Sequence, residues 1–128
     1  MRYTLLLQYP EMTADDLGPE ALAEGMRAFD EYAEAFDAAG VLHGAEVLHS
    51  SSATTTVRLR DGQLFVQDGP FADTREQLGG IFTVEVDDLD AAIDWAGKAP
   101  SVGWGAVEVR PVATRFADGA WSGTAPVR

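Results

Sequence analysis

The chain has 128 residues, with 9 Lys and Arg against 21 Asp and Glu, for a formal net charge of −12 with both histidines neutral. That length suits one domain with one hydrophobic core, and 46% apolar with 23% charged residues is a globular rather than a disordered composition. The charge argues against nucleic acid or an anionic membrane as partner, the lack of cysteine removes disulfides and thiolate chemistry, and no apolar run approaches the ~20 residues of a membrane span.

Residues Arg2 to Gln8 alternate as a strand, with Tyr3, Leu5 and Leu7 on one face and Arg2, Thr4 and Gln8 on the other. The chain starts straight into this pattern with no secretory leader, so a cytoplasmic location is expected. A polar connector runs from Tyr9 to Gly18. Pro19 then suits the first position of a helix. Leu22, Met26, Phe29, Ala33 and Phe36 make its apolar stripe, and Gly40 stops it.

Val41 to His49 is expected to be a second strand, with a bulge or close backbone approach at Gly44. Ser50-Ser51-Ser52 is a loop. Thr54–Arg60 and Gln63–Gln67 form a hairpin around Asp61-Gly62. Asp68-Gly69-Pro70-Phe71 follows as a rigid turn. Gly79-Gly80 opens the strand Ile81–Val86, and because it precedes a strand it is no phosphate loop.

Asp87 or Asp88 caps a helix from about Leu89 to Lys98, with Leu89, Ala92, Ile93 and Ala96 inward. Gly105–Val112 is the last strand. The order is strand–helix–strand, inserted hairpin, strand–helix–strand. It predicts an α+β, ferredoxin-like β-α-β-β-α-β domain over residues 1–112, with an antiparallel sheet and both helices on one face. The other face is expected to be apolar and covered by a second copy, giving a homodimer. In the tail, 113–128, Phe116 and Trp121 are expected to dock on the body or on the partner subunit.

The stretch Asp68-Gly69-Pro70-Phe71-Ala72-Asp73-Thr74-Arg75-Glu76-Gln77-Leu78-Gly79-Gly80 closely resembles the signature of the YCII-related, or DGPF, family of small bacterial proteins. The resemblance extends back to Ala39-Gly40-Val41-Leu42, Gly44 and Glu46. It extends forward through Val86 to Ala92, Trp95-Ala96 and Glu108-Val109-Arg110-Pro111. It implies a dimeric α/β barrel, and some relatives are associated with sigma-factor genes. In the wider superfamily a His–Asp pair in the cleft has been proposed as acid and base. This sequence has no histidine on its first helix, where those relatives would place one.

His49, at a strand end beside the serines, is the candidate acid or base, with Asp68 as its carboxylate counterpart. The bland alternatives are a surface histidine and an Asx-turn at Asp68. No G-x-S-x-G elbow surrounds Ser50–Ser52. Glu46, Arg58, Phe71 and Arg75 are the candidate ligand-binding residues, although Phe71 also reads as a core plug. Arg58, Arg75 and Arg110 would make an anion site if they converged. Otherwise they pair with Glu46, Glu85 or Glu108 across the sheet.

His43 and His49 share one face of a regular strand, ~20 Å apart at ~3.3 Å per residue, so no metal is expected. No cofactor is implied either. Two functions compete. One is a cleft that binds a small molecule, with acid–base chemistry. The other is a non-catalytic accessory or regulatory dimerisation domain whose acidic surface meets a protein.

Overall fold

The structure is a computed structural model and describes residues 1–123. Residues 124–128 of the expected tail lie outside the described residues. The elements are β1 (Arg2–Pro10), α1 (Ala14–Leu17), α2 (Pro19–Ala39), β2 (Leu42–Val47), β3 (Thr55–Arg60), β4 (Gln63–Asp68) and β5 (Glu76–Glu85). They continue with α3 (Leu89–Gly97), β6 (Ala106–Pro111), β7 (Thr114–Ala117) and β8 (Ala120–Gly123). The fold is mixed α+β, and its main sheet is antiparallel in the order β2-β5-β1-β6. No helix among the described residues is long and apolar enough to cross a membrane.

Local chemistry explains the helices. Pro19 occupies the first turn of α2, and Gly40 ends it in the left-handed region at φ 72°. Asp88 caps α3 by accepting the Ala91 N–H at 2.9 Å. The short α1 was expected to be part of the connector. It is held by a capping box in which Thr13 and Asp16 each accept the other's backbone N–H, at 3.1 and 3.0 Å. Aspartate stands there where such boxes usually carry Glu or Gln.

One face of the sheet, with Tyr3, Leu5 and Leu7 of β1 and Phe82 and Val84 of β5, packs on Tyr32 and Phe36 of α2 and Ala92 and Ala96 of α3. Phe36 is the centre. Its ring stacks on Trp95 at 4.1 Å and lies 4.8 Å from Tyr32 and 5.6 Å from Phe82. The Tyr32 hydroxyl donates to the Trp95 carbonyl at 2.8 Å, tying the two helices together. Burial raises that phenol well above the usual tyrosine range.

Several expectations need correction. The apolar stripe of α2 reaches the core only from Phe29 onward, because Leu22 and Met26 are exposed; Tyr32 takes a place in the core instead. Leu89 and Ile93 of α3 are also exposed.

The open face of the sheet is not apolar. By register it carries Arg2, Thr4, Gln8, Thr83, Glu85, Glu108 and Arg110, with Leu6 and Ile81 among them. The single chain closes no barrel.

Two hairpins stand apart from this sheet, each paired only with itself. Both turn on Asp-Gly with positive φ at both residues, 52° and 75° at Asp61-Gly62 and 54° and 78° at Asp118-Gly119. That is the turn geometry two-residue hairpins favour. In β3–β4 the cross-strand pairs Val57–Val66 and Leu59–Leu64 make one aliphatic face, and their exposures are 58, 63, 72 and 63%. In β7–β8 Phe116 and Trp121 pack edge to face at 5.4 Å, and both remain exposed.

Candidate functional site

The candidate site residues gather in three places around the β2 end of the sheet. The first is a depression of about 360 Å³ lined by Leu48, His49, Ser50, Ser51, Ala53, Thr54, Gln77 and Leu78. β2 ends at Val47, and the Leu48 N–H donates to the Gly79 carbonyl at 2.8 Å, which sets where His49 emerges. A single 3-10 turn over Ser51–Ala53 follows, capped by the Ser50 hydroxyl, which accepts from the Ser52 N–H at 3.3 Å.

Glu11 supports this loop from across the chain. One carboxylate oxygen accepts the Ser51 N–H at 2.6 Å, and the other accepts the Ser51 hydroxyl. Those hydrogen bonds, the hydroxyl's first, hold the Glu11 carboxyl below its ordinary value. An ionised carboxylate therefore stands beside the depression that contains His49. Ser51 is engaged with it through both its N–H and its hydroxyl.

The second place is the root of the β3–β4 hairpin, where Asp68 stands opposite Thr55. The Asx-turn expected of Asp68 is not what holds the turn. Its carboxylate makes no hydrogen bond among the described residues. The Gly69 N–H donates to the Thr54 carbonyl at 2.8 Å, and the Thr56 hydroxyl donates to the Gly69 carbonyl at 2.7 Å.

Phe71 is 74% exposed rather than a core plug, with the Arg58 guanidinium 5.3 Å from its ring centroid. This cation–π contact joins two of the candidate ligand residues. Arg75 is exposed in the loop that follows. Gly69 has φ 100°, so Gly69→Val is expected to cost more than ~1 kcal/mol, whereas Pro70→Ala stays mild. Equal small losses in denaturant melts would show an unstrained turn.

The third place is on the open face of the sheet. A depression of about 390 Å³ there is lined by Arg2, His43, Gly44, Ala45, Glu46, Ile81, Thr83 and Arg115. The register between β2 and β5 shifts between Leu42 and Gly44, which leaves His43 as the extra residue of a bulge. The bulge breaks the alternation that would have put His43 and His49 on one face. Instead His43 sits 3.4 Å from Glu85.

The structure thus separates the six candidates. His49 lines one depression and Glu46 the other; Arg58 meets Phe71, while Asp68 at the hairpin root lies by register on the face opposite Arg58. The convergence imagined for Arg58, Arg75 and Arg110 is replaced by that of Arg2 and Arg115. No group of three or more His, Cys, Asp or Glu with metal-binding geometry occurs among the described residues. Glu11 and Arg115 were missed because each acts through a contact distant in sequence, and neither lies in a local motif.

An antiparallel sheet with helices on one face and depressions on its open face and at its β2 end defines a small α+β domain. The chain belongs to the YCII-related domain family, whose model matches residues 1–116. It is also 33% identical, over 117 residues, to an uncharacterised protein of Rhizobium meliloti (strain 1021), covering 88% of this chain and 93% of that protein.

Proposed function

We propose that the protein is a homodimer that binds a small molecule in the depression around His49, with His49 as acid or base and Asp68 close by. The observation that carries this reading is the supported depression itself. His49 stands at its wall, and an ionised Glu11 braces the adjoining serine turn. Asp68 is one residue from the position opposite Thr54, which lines the same depression. In this reading the exposed Arg58–Phe71 pair and Arg75 would supply a cationic and aromatic edge to the cleft.

The aliphatic face of the β3–β4 hairpin supports the dimer. A two-stranded hairpin is marginally stable alone in water, and Val57, Leu59, Leu64 and Val66 are left largely exposed in one copy. A second copy would cover them. The strand order β2-β5-β1-β6 also suits a ferredoxin-like half of a dimeric α/β barrel. Phe116 and Trp121 of the last hairpin would dock on the partner in the same assembly, and the cytoplasm is the proposed location.

Analytical ultracentrifugation is expected to give twice the 13.7 kDa chain mass at micromolar concentration. A thermal-shift screen of metabolites is expected to yield at least one stabiliser whose effect is lost in His49→Asn. A 13.7 kDa species, or stabilisers indifferent to His49→Asn, would overturn the corresponding half of the reading. The acidic outer surface of α2 favours a second reading. Glu20, Glu24, Asp30, Glu31, Glu34 and Asp37 there face Arg27 as the lone cation. This is the surface an accessory domain would offer to a basic protein partner, and it needs no occupied cleft.

A further inference from the structure

We infer that the open face of the sheet carries a separate oxyanion site, formed by Arg2, His43 and Arg115, for the carboxylate or phosphate group of a small metabolite. In a chain of net charge −12, cations are scarce, with 9 Lys and Arg in all. Two of them, from the first strand and the seventh, line one depression. His43 is turned toward it by the β2 bulge.

The charges do not cancel locally. Glu85, on the same face, is already shared by two cationic groups, with the His43 ring beside it. The N-terminal ammonium lies at 3.0 Å, His43 at 3.4 Å and Arg2 at 3.7 Å. The ammonium's hydrogen bond, more than any other contact, holds Glu85 ionised below its ordinary range. Arg115 makes no ion pair among the described residues, so no carboxylate there engages its guanidinium. A guanidinium fork matches the paired oxygens of carboxylate or phosphate.

Space is present as well as charge. The depression holds about 390 Å³, and a Cβ added at Gly44 would meet nothing within 4 Å. Glu46 on its wall opposes negative charge, and the repulsion grows with the charge of the guest. The site therefore takes a single oxyanion group rather than a polyanion. It is distinct from the depression around His49, so the two can fail separately.

The test is a ¹⁵N-HSQC titration of the full chain with inorganic phosphate and, separately, with acetate, at ionic strength held constant with sodium chloride. Saturating shifts are expected at the Gly44, Ala45 and Thr83 amides. The anion that saturates at lower concentration identifies the group as phosphate or carboxylate. Arg115→Gln, which leaves the Glu85 pairs intact, is expected to weaken binding at least about tenfold, roughly 1.4 kcal/mol. Gly44→Leu is expected to do the same by filling the space while both arginines remain. Shifts that never saturate, shifts centred on Leu48 and Gln77, or an Arg115→Gln affinity equal to wild type would each overturn the inference.

Discussion

Phe36→Ala is expected to be the most damaging single truncation in the domain, at about 3–5 kcal/mol. The side chain is fully buried, and its ring touches three other aromatic rings drawn from both helices and the sheet. Its removal leaves a cavity that neither element can close, because the Tyr32 hydroxyl bond to the Trp95 carbonyl holds the helices at a set separation. Domains of this kind have roughly 5–15 kcal/mol in all, so the variant is expected to lose a large share of its stability. Met26→Ala, on the same helix but exposed, is expected to change monomer stability little. Chemical denaturation of the two variants side by side checks both. A loss below ~1.5 kcal/mol for Phe36→Ala would place the core elsewhere.

The contrast between Phe36 and Met26 shows where sequence reasoning held and where it stopped. The helix from Pro19 to Gly40 was legible because a start signal, a stop signal and a 3.6-residue period all agree locally. Which part of the stripe is buried depends on how far the sheet extends beneath it, and periodicity does not encode that. The core therefore ends near Phe29, and Leu22 and Met26 lie beyond it.

The strands of the main sheet were equally legible, and so was the facing of β1, with Tyr3, Leu5 and Leu7 inward and Arg2, Thr4 and Gln8 on the open face. The facing of β2 was not, because the bulge at His43 resets the alternation on which facing depends, and the β7–β8 hairpin was not foreseen in the tail. The sites were least legible. The links between Glu11 and Ser51, and between Arg115 and the Arg2 depression, join segments that only the folded topology brings together.

Asp68 and Phe71 teach the complementary lesson. The motif was read as a rigid turn; Asp68 instead ends β4, and the chain bends at Gly69 with the positive φ expected there. Local chemistry suggested that Asp68 bonds the backbone ahead of it, yet Pro70 offers no N–H and the turn is closed by Thr54 and Thr56 instead. That leaves the carboxylate of Asp68 and the ring of Phe71 at the surface, where a ligand or a second copy can reach them.

The Gly79 and Gly105 positions are where a single added methyl is expected to do most harm. A Cβ at Gly79 would fall 2.1 Å from Cζ and 2.2 Å from Oη of Tyr9. One at Gly105 would fall 2.2 Å from the Gln8 carbonyl oxygen and 3.0 Å from the Tyr9 Cα. The two obstacles differ in kind. At Gly79 it is a ring, held edge to face against Trp104 at 5.2 Å, which can swing away at the cost of that contact. At Gly105 it is the backbone of β1, which cannot move without disturbing its pairing with β5 and β6. Gly79→Ala is therefore expected to cost about 1–3 kcal/mol, and Gly105→Ala to reach the top of that range or pass it. A double-mutant cycle separates the causes. In a Tyr9→Ala background the Gly79→Ala penalty is expected to fall close to zero, because its obstacle is gone, while the Gly105→Ala penalty persists. The Gly79 carbonyl also receives the Leu48 N–H, and Tyr9 pairs with Gln77, so this glycine seats the aromatic ring next to the His49 depression. Loss of a His49-dependent stabiliser in folded Gly79→Ala protein would tie the motif's glycine to the site, whereas an undiminished effect would limit its role to packing.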